Sequence, residues 1–307
     1  MYFCKFSISS LKWATKVKSS KTLKICAILE VILMLRSSSQ FLWISSDFIT
    51  SKQILVQYDR MTKATSIKKT VKDSYAKMAQ SSGCCRNCGC DSNNKAQRQS
   101  GKMGYSQDEL DKVPQGSNLG LGCGNPTAIA SLKEGEIVLD LGSGAGFDVF
   151  LASPKVGKTG KVIGVDMTEE MLIKARENAK KGNYTNVEFK NGDIEDLPIE
   201  NSSVDAIISN CVINLAPDKE KVFKEAYRVL KTGGRLMVSD VVLTKPLPDE
   251  VKNDKELLVG CVSGAMLKQD YINLLEKVGF TDTTIHEETP AFLEEFAVSI
   301  TYSAFKR

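Results

Sequence analysis

Residues Ile137-Val-Leu-Asp-Leu-Gly-Ser-Gly-Ala-Gly-Phe-Asp148 read as a buried strand that ends in a glycine turn and opens a helix. Gly142, Gly144 and Gly146 let the backbone turn sharply and come close to a ligand. A dinucleotide site is the obvious rival, because a glycine loop alone is a weak signal. The spacing here is Gly-x-Gly-x-Gly rather than Gly-x-Gly-x-x-Gly. Asp140 stands two residues before the first glycine, where a carboxylate repels a pyrophosphate and attracts the ammonium of an amino-acid cofactor.

The pattern around this stretch is regular. Ile137–Leu141, Lys161–Asp166, Val187–Asn191, Val204–Asn210 and Arg235–Val241 are short, rich in β-branched residues and bounded by turn signals. Helical periodicity separates them at Glu169–Lys181, Asp218–Leu230 and Tyr271–Val278, each closed by a glycine within a few residues. Thr168 is available as the N-cap of the first of these. Strands alternating with helices imply parallel pairing and right-handed crossovers. The expected fold is α/β, a doubly wound, mostly parallel seven-stranded sheet of Rossmann-like type. A cysteine-rich arm precedes it.

Three acids fall at or just past successive strand ends. Asp140 follows the first strand's core, Asp166 closes the second, and Asp193 lies in Asn191-Gly-Asp-Ile-Glu-Asp-Leu-Pro198 after the third. Asp166 suits both ribose hydroxyls of a nucleoside. Asp193 suits an adenine amino group, with Met167 and Ile194 as apolar faces for the ring. Each acid alone could be a solvated loop carboxylate. Three together beside the glycine loop point to an S-adenosylmethionine site.

Charge and cysteine usage narrow the partners. Residues 1–60 hold nine Lys or Arg against three Asp or Glu, so they carry +6 while the remainder carries −2. The globular part has no basic bias toward nucleic acid. The apolar run Ile25–Leu35 is too short to span a bilayer, so no membrane partner is expected. Residues 1–60 are expected to be an over-extended gene start ahead of Met61, against a genuine targeting or disordered segment. Residues 61–126 are expected to form a helical arm, with a short helix at 67–80, a loose polar linker at 91–107 and a glycine-dense segment, Gly116-Ser-Asn-Leu-Gly-Leu-Gly-Cys-Gly-Asn-Pro126. The cofactor-binding domain then covers 127–307, opening on a helix near 127–132, with a substrate-covering segment around 245–267.

Nine cysteines in an uneven, odd-numbered pattern suggest ligand or redox thiols in a reducing, cytoplasmic setting rather than a secreted disulfide framework. Cys84, Cys85, Cys88 and Cys90 cluster tightly. Four thiols in seven residues are cramped for structural zinc, though zinc stays open if Cys123 helps. Cys211 follows Asn210 at the mouth of the fourth strand, where doubly wound sheets place ligands. Cys261, among Gly260, Ser263 and Gly264, lies in a segment placed to fold over that mouth. Either cysteine alone could simply fill core space. The single histidine, His286, excludes His-rich metal chemistry and is expected on the surface or on an edge strand.

Over residues 67–305 the chain resembles the arsenite methyltransferase family. The resemblance is carried by Tyr75-Ala-Lys-Met-Ala with Cys84-Cys85 downstream, the 116–126 glycine run, the 140–148 loop, Ser209-Asn-Cys-Val-Ile-Asn-Leu215 and Gly260-Cys261. It implies S-adenosylmethionine as methyl donor, Tyr75 and Asn210 near the cofactor, and trivalent arsenic on Cys211 and Cys261. Cys85 or Cys84 would supply a third thiolate or a disulfide partner. It implies arsenite arriving as a thiol conjugate, thioredoxin or glutathione as reductant, and a monomer. Animal and algal members resemble one another in a further upstream cysteine; here only Cys26 lies there, or Cys88 and Cys90 take the role. Two other functions share parts of this pattern. One is a methyltransferase for an organic acceptor such as a quinone, which needs neither Cys211 nor Cys261. The other is a non-catalytic thiol module that sequesters metalloid and needs no glycine loop.

Overall fold

The computed structural model describes residues 51–81, 92–252, 257 and 261–307. Cys4, Cys26, Cys84, Cys85, Cys88 and Cys90, with the roles expected of them, lie outside the described residues. The chain divides into two compact units, 1–63 and 64–307. Of the first unit, residues 51–63 are described; they are helical, and the Thr62 hydroxyl donates to the carbonyls of Tyr58 and Asp59. Everything below concerns the second unit.

Helix α1 is Ser51–Ser81, α2 Ser92–Lys102, α3 Gln107–Lys112 and α4 Pro126–Ile129. Then follow β1 Ile137–Leu141, α5 Phe147–Val156, β2 Lys161–Asp166, α6 Glu169–Lys181, β3 Val187–Asn191 and β4 Val204–Asn210. The chain closes with α7 Lys219–Val229, β5 Leu230–Leu243, α8 Asp249–Lys252, α9 Lys268–Val278, β6 Thr281–Pro290 and β7 Ala297–Phe305.

The seven strands form one sheet in the order β3-β2-β1-β4-β5-β7-β6. The first five pair in parallel, and β7 inserts antiparallel between β5 and β6. The order reverses beside β1, so the β1 and β4 carboxyl ends flank the crevice where such sheets bind ligands. Central strands are apolar on both faces because helices cover both. Leu139, Leu141, Ile207 and Val238 pack toward one side, against Val222, Phe223 and Ala226 of α7 and Tyr271 and Leu275 of α9. Val138, Ala206 and Ile208 pack toward the other, against Val149, Phe150, Leu172 and Ala175 of α5 and α6.

Several expectations need correction. The expected helix at 67–80 is the later part of a longer one, α1. The expected loose linker at 91–107 contains α2. Its composition is polar, but Ala96 and Ser100, four residues apart, are buried, and a Cβ on Gly120 would meet the Ala96 backbone at 3.0 Å. Ser106 then caps α3 with a reciprocal bond to Glu109. Thr168 does precede α6, yet its side chain makes no capping bond; its N–H instead donates to Asp166. Leu230 does not end α7 but opens β5, five residues earlier than the apolar run suggests. His286 sits on edge strand β6, its ring hydrogen-bonded to the Ser303 hydroxyl at 2.8 Å. No helix among the described residues is long and apolar enough to cross a membrane.

Candidate active site

The glycine loop between β1 and α5 takes left-handed backbone at Gly142, Gly144 and Gly146, with φ of 69°, 51° and 93°. A Cβ at Gly144 would meet nothing within 4 Å, whereas one at Gly142 would strike the Val212 side chain. The loop therefore presents bare backbone to a cavity at Gly144 and needs glycine at 142 for packing. That cavity is lined by Asp140, Asp166, Met167, Asp193, Ile194, Asn210 and Cys211 among others, and by Lys68, Val71 and Tyr75 of α1. One cavity is thus lined by the residues expected to hold the cofactor except Gly146, where a Cβ would instead meet the Phe150 and Phe189 rings.

The carboxylates differ in how they are satisfied. Asp166 accepts from the Gly144 N–H at 2.9 Å and the Thr168 N–H at 2.8 Å, one on each oxygen. Burial pushes its carboxyl up, and these backbone bonds oppose the rise. Asp148 accepts from the Tyr105 hydroxyl at 2.7 Å and from Asn210 at 3.3 Å; burial raises its carboxyl to about 6. Asp140 is 3% exposed and its carboxylate makes no hydrogen bond among the described residues. Burial first, then the charges of Asp148 and Asp166, push its carboxyl well above the ordinary range. A buried carboxyl without a donor at the wall of a cavity fits a cationic ligand group, as the ammonium of an amino-acid cofactor supplies. Asp193 is engaged by Lys68 of α1, itself on the cavity wall, at 2.5 Å, and Lys68 also bonds Glu195 at 2.6 Å.

Asn210 serves a purpose that its sequence did not signal. Its Oδ1 accepts from the Cys123 N–H at 3.0 Å, and its Nδ2 donates to the Gly124 carbonyl at 2.8 Å and the Tyr105 hydroxyl at 2.9 Å. Its side chain lines the cofactor cavity but fastens the glycine segment to the end of β4. The Ser299 hydroxyl holds the Cys123 carbonyl from β7 at 2.7 Å. A Cβ on either flanking glycine would collide, with the Asn210 amide from Gly122 at 2.8 Å and with the Ser239 hydroxyl from Gly124 at 2.7 Å. Glycines on both sides are what let Cys123 press down onto the strand ends.

The result is a cluster of thiols from three distant segments. The Cys123 and Cys211 sulfurs and a carboxylate oxygen of Asp240 lie within 4.8 Å of one another. The Cys211 thiol hydrogen-bonds with those of Cys123 and Cys261, and these contacts, ahead of burial, hold it well above the ordinary thiol range. Cys261 follows the segment after β5, which returns to the sheet through the Leu243 N–H bond to the Met266 carbonyl at 2.7 Å. All three cysteines are free thiols. The sequence pointed to Cys211 and Cys261 but not to Cys123 as their companion. The signal was present, a cysteine bracketed by glycines in a segment otherwise too flexible to be core.

Beneath the thiols lies Asp240, fully buried, accepting from the Asn214 amide at 2.8 Å and the Tyr271 hydroxyl at 3.2 Å. Burial pushes its carboxyl up to about 7. Above the thiols a second cavity opens. It shares Tyr75, Leu121, Gly122 and Cys211 with the cofactor cavity and adds Cys123 and Cys261. The two cavities therefore meet at Cys211.

Strand order, the glycine loop and acids at successive strand ends together define a Rossmann-like methyltransferase domain, and the methyltransferase-domain family matches residues 132–279. The chain belongs to the arsenite methyltransferase family. It is 47% identical to an arsenite methyltransferase of Halobacterium salinarum over 74% of this chain and 61% of that protein. It is 41% identical to one from Aquipseudomonas alcaligenes over 60% of this chain and 58% of that protein. A crystal structure of an arsenic(III) S-adenosylmethionine methyltransferase from Chlamydomonas reinhardtii superposes with a TM-score of 0.55 at 39% identity, covering 68% of this chain and 73% of that one. The chain spans about three-fifths of the length of the two curated relatives.

Proposed function

We propose that this chain transfers a methyl group from S-adenosylmethionine to trivalent arsenic held by Cys123, Cys211 and Cys261. One observation carries the reading: three thiols far apart in the chain line one cavity, and one of them, Cys211, also lines the cavity of the glycine loop. When bound, S-adenosylmethionine supplies a methyl group activated on a cationic sulfur. Asp140 would hold its amino-acid end, Asp166 the ribose and Asp193 the adenine, with Met167 and Ile194 as apolar faces for the ring and Tyr75 near the cofactor; all of them line the cavity.

Arsenic in the trivalent state is soft and prefers soft thiolates. Three sulfurs leave it pyramidal with a lone pair, and no proton has to be removed from it, so a chain with one remote histidine loses nothing. Holding the reacting centres in line is worth on the order of 7–11 kcal/mol at best. Methylation oxidises arsenic by two electrons. The Cys84 or Cys85 thiolate attacking one arsenic-bound cysteine sulfur forms a disulfide, the S–As bond breaks with its electron pair returning to arsenic, and thioredoxin or glutathione then reduces the disulfide. Cys84 or Cys85 is assigned to this disulfide rather than to the third ligand position, because Cys123 already stands there. The free thiols fit a reducing, cytoplasmic location.

The test is mass spectrometry of arsenic products from C211S and C261S proteins given arsenite, S-adenosylmethionine and glutathione. Methylarsenic formation should fall at least a hundredfold while titration calorimetry still shows cofactor binding. Arsenic methylation retained in both variants would leave a methyltransferase for an organic acceptor.

A further inference from the structure

Asp240 carries a lone pair that arsenic chemistry does not use. An ionised carboxylate offers about four acceptor positions. Its Oδ1 takes the Asn214 amide at 2.8 Å and the Val241 N–H at 2.9 Å, and its Oδ2 takes the Tyr271 hydroxyl at 3.2 Å. The second position on Oδ2 meets no donor among the described residues. The side chain is fully buried, and one of its oxygens lies within 4.8 Å of the Cys123 and Cys211 sulfurs. A buried acceptor short of a partner costs free energy, so its placement against two thiols points to a ligand.

Trivalent arsenic is not that ligand. On three sulfurs it is pyramidal, and its fourth direction holds the lone pair that must face the methyl donor. A tetrahedral divalent cation does take a fourth donor. With bonds of about 2.3 Å to sulfur and 2.0–2.2 Å to oxygen, its ligand atoms stand roughly 3.5–3.8 Å apart, a spacing that the cluster's 4.8 Å span allows. Cys261, whose thiol donates to the Cys211 carbonyl at 2.9 Å and lines the same cavity, supplies the third sulfur.

The donors select a soft ion, because thiolates prefer zinc and its heavier relatives to magnesium or calcium. The Asn214 and Tyr271 bonds orient the carboxylate as outer partners orient metal ligands. Three thiolates and a carboxylate outweigh a dication. Lys219, whose ammonium donates to the Asn214 and Ala216 carbonyls at 3.4 and 3.2 Å, brings a further positive charge to Asp240 and Cys261.

We propose that Cys123, Cys211, Cys261 and Asp240 form a site for a soft divalent cation of the zinc class, and that this ion and arsenic exclude each other. The exclusion rests on the arsenic-methylating reading; the cation site stands without it. As each S–Zn bond forms, the thiol proton leaves to water, as does any proton on Asp240, and no atom changes oxidation state. Arsenic uses three sulfurs and the cation all four donors, so Asp240 separates the two ligands.

The experiment uses the full, reduced chain in buffers of fixed free zinc. Iodoacetamide labelling with peptide mass mapping reads each cysteine by itself, so zinc held on other cysteines does not enter. Zinc should protect Cys123 and Cys211 along one shared curve. D240N should need about tenfold or more free zinc for the same protection, while arsenite should protect both chains over ranges that agree within about twofold. Zinc should also inhibit methyl transfer competitively with arsenite, and D240N should resist it by the same factor. Y271F keeps all four donors and removes one outer bond. It should weaken zinc several-fold and leave arsenite unchanged, which decides the matter if D240N does not fold. Zinc that leaves Cys123 and Cys211 reactive in wild type overturns the proposal. So does a variant that matches wild type toward zinc, or one that loses zinc and arsenite to the same degree. A wild-type chain that methylates no arsenic sinks the arsenic reading instead, and the zinc protection curves still decide the cation site.

Discussion

The Cys261 thiol donates to the backbone carbonyl of Cys211 across 2.9 Å, and both residues sit in left-handed backbone, at φ of 65° and 58°. Two non-glycine residues holding that conformation at one site mark strain kept for function. Each costs on the order of 1–2 kcal/mol against glycine's ease in the same region. The thiol and the strain can be separated at Cys211, which is only half-buried and leaves a small cavity when shortened. C211A and C211G both remove the sulfur, and both should lose arsenic methylation. Only C211G relieves the backbone, so urea unfolding should find it more stable than C211A by about 1 kcal/mol. Equal stability of the two variants would mean that the strain is carried elsewhere.

The glycine loop makes opposite demands at neighbouring positions. G142A puts a Cβ into the Val212 side chain at a φ of 69°, so it should destabilise the fold by about 2 kcal/mol or more as well as weaken the cofactor site. G144A meets nothing in the protein, and only the left-handed φ of 51° opposes it. Its Cβ instead enters the space that the cofactor backbone contact requires. G144A should lose no more than about 1–2 kcal/mol of stability, yet weaken S-adenosylmethionine binding at least tenfold by calorimetry. The reverse ranking for binding would move the cofactor away from this loop.

Lys68 joins α1 to the two acids that follow β3, across 125 and 127 residues of sequence. Val71 and Tyr75 of the same helix line the cofactor cavity, so this double pair fastens its roof. Lys68 and Asp193 are partly exposed, which limits that bond to a few tenths of a kcal/mol up to about 1, while the Glu195 side chain is largely buried. K68M should weaken S-adenosylmethionine binding roughly three- to tenfold and speed amide exchange over residues 64–81. The difference from wild type should shrink at high salt. Unchanged exchange in K68M would show that apolar contacts alone hold the helix down.

Strands β1, β2 and β4 were legible because burial on both faces leaves a nearly continuous apolar run, and each begins and ends where that run does, while edge strand β3 showed instead by alternation, with Val187 and Phe189 between polar residues. The acids at their ends were legible because strand ends fix where a side chain can go. Cys123 was not, since its position depends on Asn210 and Ser299, 87 and 176 residues downstream. Helix α2 was hidden for a related reason. Its apolar face is only Ala96 beside a buried serine, too thin a stripe to outweigh a polar composition. Asp240 looked like an ordinary strand residue in Val238-Ser-Asp-Val-Val242, and only the fold shows it fully buried beneath the thiols.

Asp240 also gives the protein a pH signature. Its carboxyl is pushed up to about 7, chiefly by burial, with the Val241 N–H, Lys219 and the Tyr271 hydroxyl opposing. An unfolded aspartate titrates near 3.9. Between those values the native state holds a proton that the unfolded state has lost, so stability falls as pH rises from about 4 to about 7 and is level above. D240N keeps the shape and cannot ionise. The stability of wild type relative to D240N, from urea unfolding at pH 5, 6, 7 and 8, should therefore decline by on the order of 2–4 kcal/mol over the lower part of that range and then flatten. A difference that stays constant with pH would mean that the native carboxyl is ionised throughout, stabilised by Lys219 more strongly than burial opposes it.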